Sequence, residues 1–239
     1  MASQRPARRA APRLSSDVRI EDIMVAARAA ITESGYEKVL ISDIAERAGV
    51  VEGTIYRYFA NKRDLLVKVA EAWFSAQLAE DSHVEAIDGT LNKLRHLALR
   101  TLTVIRREPV LARFMLMELR PDPAYRQTQF FELNRRFTAD VLKVCKEAIA
   151  SGEFHHDISA AMLRDTLFGA IEHRTWAFLR GEGDFSPEEV ADSIARLIYR
   201  GMVVRAAPEV GELEQVVARL ERIASSFEPG TSPPRPRGG

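Results

Sequence analysis

Ser42-Asp43-Ile44-Ala45-Glu46-Arg47-Ala48-Gly49-Val50-Val51-Glu52-Gly53-Thr54-Ile55-Tyr56-Arg57-Tyr58-Phe59-Ala60-Asn61-Lys62-Arg63-Asp64-Leu65-Leu66 is the stretch on which the fold turns. Ile44, Ala45 and Ala48 share one face of a short helix that runs into Gly49, and a second short helix follows after a turn of a few residues. Two short helices joined by a glycine turn form a helix-turn-helix, whose second helix lies in the major groove of DNA. Gly53 and Thr54, at the start of that second helix, suit a close approach of backbone to duplex. Ile55 and Phe59, four residues apart, are placed to pack on the first helix, which leaves Thr54, Arg57, Tyr58 and Asn61 on an outward face. Tyrosine and threonine hydroxyls and Lys62 are phosphate donors, and Arg57 is able to pair bidentately with guanine O6 and N7. The plain alternative stays open at this point: Tyr56 and Tyr58 as half-buried packing residues, Arg57 and Lys62 as solvated charges, because glycine turns also join helices in ordinary bundles.

Upstream, Ile20, Ile23, Met24, Ala27 and Ile31 recur at one-face helical spacing and Gly35 supplies a stop, which predicts a helix over about Arg19–Ser34. Downstream, similar periodicity predicts helices near Asp64–Ala79, Leu91–Arg107, Val110–Leu119, Ala124–Ala150, Ser159–Arg180, Pro187–Ala206 and Gly211–Ser226. Gly, Pro and Asp signals separate them, such as Pro121-Asp122-Pro123 and Gly181-Glu182-Gly183-Asp184. Ser186-Pro187-Glu188-Glu189 reads as an N-cap, a first-turn proline and carboxylates at the positive dipole end. No alternating strand pattern competes. The first sixteen residues hold Arg5, Arg8, Arg9 and Arg13 and no acid, so a disordered basic tail is expected, either a solubilising leader or an arm that touches DNA phosphates. Pro229 to Gly239 reads as a second loose tail.

The 239 residues are 46% hydrophobic and 28% charged, the composition of a folded globular chain with a sizeable core. Apolar runs are broken by charges, as Arg113 and Glu118 break Val110 to Leu119, so none reaches the ~18 residues of a membrane span. A single cysteine, Cys145, and no apolar leader point to a reducing compartment, the cytoplasm. Lys and Arg balance Asp and Glu at 34 each, but residues 1–63 hold 11 basic and 8 acidic, a net of +3 at the end that carries the helix-turn-helix. Catalysis and metals find little support: His155-His156 are adjacent, no cysteine or carboxylate spacing completes a zinc site, and no phosphate loop or nucleophile elbow is present. Glu172-His173 is a polar pair in the body, structural or ligand-orienting, and Cys145 a small buried residue. No enzyme, cofactor or metal is expected.

Gly35-Tyr36-Glu37, Asp43 to Val50, Gly53-Thr54-Ile55-Tyr56, Tyr58-Phe59, Asn61-Lys62 and Leu65-Leu66 together resemble the N-terminal domain of TetR-family transcriptional regulators, nearly without gaps from about Ile20 to Leu66. The resemblance implies an all-α fold with a three-helix DNA-binding head and a larger helical body that binds an effector and dimerises. The expected division is a basic tail at 1–16, the head at 17–63, the body at 64–228 and a tail at 229–239. It further implies phosphate contacts from Thr54, Tyr56, Tyr58 and Lys62 and base contacts from Ser42, Glu52, Gly53 and Arg57. Three positions depart from the family's habit: Leu40 and Val51 stand where Ser or Thr is common, and Glu52 where Lys or Gln is. Glu52 accepts from cytosine N4 but repels phosphate, so it shapes sequence choice rather than affinity.

Beyond Leu66 the middle helices carry bulky adaptable side chains, from which Phe114, Met117, Phe131, Phe168 and Trp176 are candidates for an effector pocket, ordinary core being the alternative for any one of them. Glu118-Leu119-Arg120, Ser151-Gly152-Glu153 and Leu167 to Glu172 resemble the fatty-acid-metabolism branch of the family, whose effectors are long-chain acyl-CoA thioesters; Arg106, Arg107, Arg135 and Arg136 are available for its phosphates. Two apolar stripes, one with Leu163, Leu167, Ala170 and Ile171, the other with Val190, Ile194, Leu197, Ile198 and Met202, pair across a dimer or face their own core; the resemblance favours the dimer, since heads ~34 Å apart read a palindrome. The expected protein is a homodimeric repressor of a double-stranded DNA operator, released by a small apolar effector. An activator, a ligand-independent DNA binder, and a helical enzyme or interaction protein are the rivals.

Overall fold

The computed structural model describes residues 16–79, 83–204 and 217–224. The chain divides into a unit of residues 1–203 and a short unit of residues 204–239, in which residues 217–224 are helical. The larger unit is built from α1 (Ser16–Ser34), α2 (Ile41–Arg47), α3 (Glu52–Tyr58), α4 (Lys62–Ala79), α5 (Thr90–Arg107) and α6 (Pro109–Phe114). It continues through a π-helical turn (Met115–Leu119), α7 (Gln129–Phe137), α8 (Ala139–Ala150), α9 (Ala160–Leu179) and α10 (Pro187–Met202). Among the described residues there is no strand, only an isolated bridge between Phe154 and Val203. No described helix is long and apolar enough to cross a membrane. The tails expected at 1–16 and 229–239 lie outside the described residues, save Ser16, which begins α1; of the helix expected at Gly211–Ser226, only residues 217–224 are described.

Side chains sort into two cores. The first joins the head to part of the body: Ile23 and Ile31 of α1, Ile44 of α2 and Ile55 of α3 meet Leu65, Val69 and Phe74 of α4, then Leu111, Phe114, Phe130 and Phe137. The second holds α5, α8, α9 and α10 together around Leu94, Leu102, Val144, Leu167, Ile171 and Ile198, and half-buried Phe168 packs against both. Cys145 lies in the second core with no exposed surface, and burial pushes its thiol up to about 11.

Three expectations are corrected. The single helix read over Ala124–Ala150 is broken: the Thr128 hydroxyl caps α7 by accepting from the Phe131 N–H at 3.2 Å, and Thr138 ends it. Phe130, Leu133, Phe137, Val141, Val144 and Ala148 keep helical spacing straight through that break, so the pattern holds no trace of it. The helix over Val110–Leu119 changes to wider π turns at Met115. Leu163, Leu167, Ile171, Ile194, Ile198 and Met202, expected at a dimer interface, are all buried in the chain's own second core. The more hydrophobic stripe of each helix has gone inward, where it removes most apolar surface from water. Ser186 caps α10 as its sequence implies, accepting from the Glu189 N–H at 3.3 Å.

Leu167→Ala opens a cavity at a fully buried site and is expected to cost about 2–5 kcal/mol in urea unfolding, with the oligomeric mass unchanged. A loss of oligomeric mass at unaltered stability would contradict the core placement.

Candidate nucleic-acid interface and ligand cavity

The turn between α2 and α3 is set by Gly49. Its φ of +63° is left-handed, the Gly49 N–H donates to the Glu46 carbonyl at 3.1 Å and the Val50 N–H to the Ala45 carbonyl at 2.9 Å. These are the two hydrogen bonds of a Schellman C-cap, which a side chain at Gly49 strains. Val50 then packs on the first core and α3 starts two residues later, held by buried Ile55 and Phe59. Leu40 and Val51 precede α2 and α3 without a side-chain cap, as their departure from Ser or Thr implies, and both are exposed. At the other end of α3, the Asn61 side chain accepts from the Asp64 N–H and Asp64 accepts from the Ala60 N–H, both at 2.9 Å, a reciprocal cap that aims α4 into the body.

Ser42, Glu52, Gly53, Tyr56 and Arg57 are exposed on one side of the motif. The outward face read from spacing needs a correction at Thr54, only 8% exposed, and at Tyr58, half-buried against the first core; α3 has just seven residues and its first turn leans on α2. Tyr56, at 51% exposure, is the outward tyrosine. Lys62 is held at the rim, its Nζ donating to the Glu37 carbonyl at 3.2 Å. Asp43, Glu46 and Glu52 set three carboxylates against Arg47 and Arg57 on this side, and Arg47 is tied to Glu33 at 2.5 Å.

A cavity of about 350 Å³ opens in the body, lined by residues of α4, α5, α6, the π turn, α7 and α9. Of the five residues expected there, Phe131 and Phe168 line it. Phe114 instead packs on Tyr36 with ring centroids 5.1 Å apart, Met117 packs on the second core and Trp176 is exposed beside Arg180, so these three are corrected. Trp73, Phe74, Met115, Leu116 and Phe137 complete the apolar wall. Sequence reasoning misses Trp73, Phe74 and Leu116 because the wall joins helices far apart in the chain. The polar wall has Arg120, Arg135, Arg164, Asn134, Asp165 and Glu172. Of the four arginines proposed from composition, only Arg135 lines the cavity; Arg106 is held by Asp184 at 2.8 Å and by the Phe185 carbonyl, in a separate groove with Arg107. Among the described residues no group of three His, Cys, Asp or Glu is placed to hold a metal ion.

The profile of bacterial regulatory proteins of the tetR family matches residues 23–69, and that of the tetracyclin repressor-like C-terminal domain matches residues 88–202. The chain belongs to the tetR family. Among this family member's relatives is the fatty acid metabolism regulator protein of Bacillus subtilis, 26% identical over 183 residues, 75% of this chain and 93% of the relative. The crystal structure of FadR from Bacillus subtilis in complex with stearoyl-CoA shares the fold, with a TM-score of 0.64 and 24% identity over 76% of this chain and 98% of that one. A TetR/AcrR-family regulator from Thermobifida fusca is 26% identical, with a TM-score of 0.59, over 78% and 98%.

In this tetR-family chain the head is tied to the body by polar contacts that frame the shared core. Arg28 pairs with Glu108, Arg113 with Glu37 at 3.0 Å and Arg63 with Asp122 at 2.6 Å. The Tyr36 hydroxyl donates to Glu118 at 3.1 Å, under the Arg113 guanidinium. Burial, and then the Glu118 carboxylate, push the Tyr36 hydroxyl up from 10.0 to about 12. The fold thus holds this proton more tightly than the unfolded chain does. The associated stability is complete below about pH 10 and fades as pH rises toward about 12. Wild-type protein should therefore lose more stability than Tyr36→Phe between those limits in urea unfolding; equal slopes would show that the fold does not hold the hydroxyl proton.

Proposed function

We propose that the chain is a homodimeric cytoplasmic repressor that binds a palindromic operator and leaves it when an amphiphilic effector of the long-chain acyl thioester class enters the body. The cavity lined by aromatic side chains together with three arginines is the observation that carries the effector reading. Its volume lies at the low end of the ~300–1,000 Å³ of ligand sites, a size suited to an acyl portion with its polar remainder outside. The relative's ligand, stearoyl-CoA, has that build.

In this reading Tyr56 and Lys62 grip phosphates while Arg57, Glu52, Gly53 and Ser42 meet base edges; Thr54 and Tyr58 contribute through what remains exposed of them. Dimer contacts come from the exposed stripes of α9 and α10. On α9, Met162, Thr166, Gly169, His173 and Trp176 follow helical spacing on the outside; on α10, Ser193, Leu197 and Gly201 do so, with Leu197 70% exposed. Large apolar side chains left in water along two packed helices are what a twofold partner covers.

Tyr56→Phe with Lys62→Ala should weaken binding to every promoter fragment alike and lower the salt slope by ~0.9 for each phosphate no longer neutralised, measured by fluorescence anisotropy at several salt concentrations. Binding equal to wild type would overturn the head assignment. Leu197→Glu should give a monomer by light scattering at micromolar concentration with unchanged helicity, and a persistent dimer would remove the α9 and α10 stripes from the interface.

A further inference from the structure

The cavity's three arginines have different partners. Arg164 pairs with its neighbour Asp165 at 2.8 Å and Arg135 with Glu132, one turn away on α7, at 3.4 Å. Arg120 reaches across the cavity wall from the end of the π turn to Glu172 on α9, 52 residues along the chain, at 2.6 Å. Both side chains line the cavity and both are partly exposed, at 41% and 28%. Such a pair stabilises a fold only weakly, so exchanging one anion for another on Arg120 costs little. A guanidinium presents a planar fork that a free carboxylate or phosphate engages through two parallel bonds, whereas the Glu172 contact is a single Nη1···Oε2 bond.

Arg120 also stands beside the head's anchors. Its N–H donates to the Met115 carbonyl at 3.1 Å, closing the π turn, while Met115 and Leu116 line the cavity. Two residues before it, Glu118 takes the Tyr36 hydroxyl and its carbonyl accepts from Arg63 Nη2 at 3.3 Å; two residues after it, Asp122 takes the same guanidinium. One short segment therefore shows the cavity three side chains and the head two acceptor residues. π turns interrupt regular helix pairing, and they recur where a helix carries function.

Resting on the reading of the cavity as an effector site, we propose that Glu172 is a built-in competitor for Arg120, and that the effector binds by bringing its own anionic head group to Arg120 in place of Glu172. The released segment 115–122 then relaxes its hold on Tyr36 and Arg63. The shared chemistry is an oxyanion on an apolar chain, which either a carboxylate or the phosphates of a CoA thioester supply.

Calorimetry of the intact dimer with dodecanoate, dodecanoyl-CoA and dodecanol separates these sources. The expectation is that wild type prefers at least one charged ligand over the alcohol. Glu172→Gln should tighten that charged ligand by about 5- to 10-fold and leave dodecanol unchanged, and the near-isosteric Arg120→Gln should erase the preference. A gain confined to dodecanoate assigns the carboxylate, and a gain confined to the thioester assigns the phosphates. Charged ligands that bind but ignore Glu172→Gln overturn the competitor and leave the cavity reading intact; failure of all three to bind wild type overturns both. Amide exchange over residues 115–122 should rise when a charged ligand binds, and exchange that stays flat with ligand bound removes the link to the head.

Discussion

Helix α4 belongs to two structures at once, and the rest follows from that constraint. Leu65, Leu66, Val69, Ala70 and Phe74 lie in the first core together with α1, α2 and α3, so the short head helices bury their apolar faces against a helix that continues into the body. Seven-residue helices such as α2 and α3 are too short to persist alone, and their stability comes from this packing. Trp73 and Phe74 are at the same time walls of the cavity. A side chain displaced there is already in contact with what positions the recognition helix.

Strength and registration come from different forces in this arrangement. Apolar burial joins head to body, whereas the ties Arg28–Glu108, Arg113–Glu37 and Arg63–Asp122 are partly exposed and individually weak. Weak directional contacts around a continuous core fix an angle without making it permanent.

The head is legible in the sequence because its signals are local: Gly49 for a left-handed turn, and Ile44, Ile55 and Phe59 for the buried side; Asn61, read there as an outward residue, instead caps α4. Thr54 misleads because a stripe of positions locates a face but not how deeply a seven-residue helix sinks into its neighbours. In the body each of α9 and α10 carries two stripes. Periodicity detects the richer one, Leu163, Leu167 and Ile171, and that stripe is the chain's own core; the sparser stripe with Met162 and Trp176 is mixed with Thr, Gly and His and gives no apolar signal. The cavity is legible only in part: Phe131 and Phe168 stand out as bulky side chains of the middle helices, whereas Trp73, Phe74 and Leu116 join them only through the fold. The family resemblance names the class of ligand but does not place Arg120 opposite Glu172.

The two tryptophans have separate surroundings. Trp73 is buried between the cavity and the groove of α1 against α4, and Trp176 is 41% exposed on α9 beside Arg180. Their indole emission spectra will consequently differ in colour, the enclosed ring blue and the wet one red. The molecule thus carries its own pair of optical gauges, one set in the cavity wall and the other on the outer face of α9, with no dye attached.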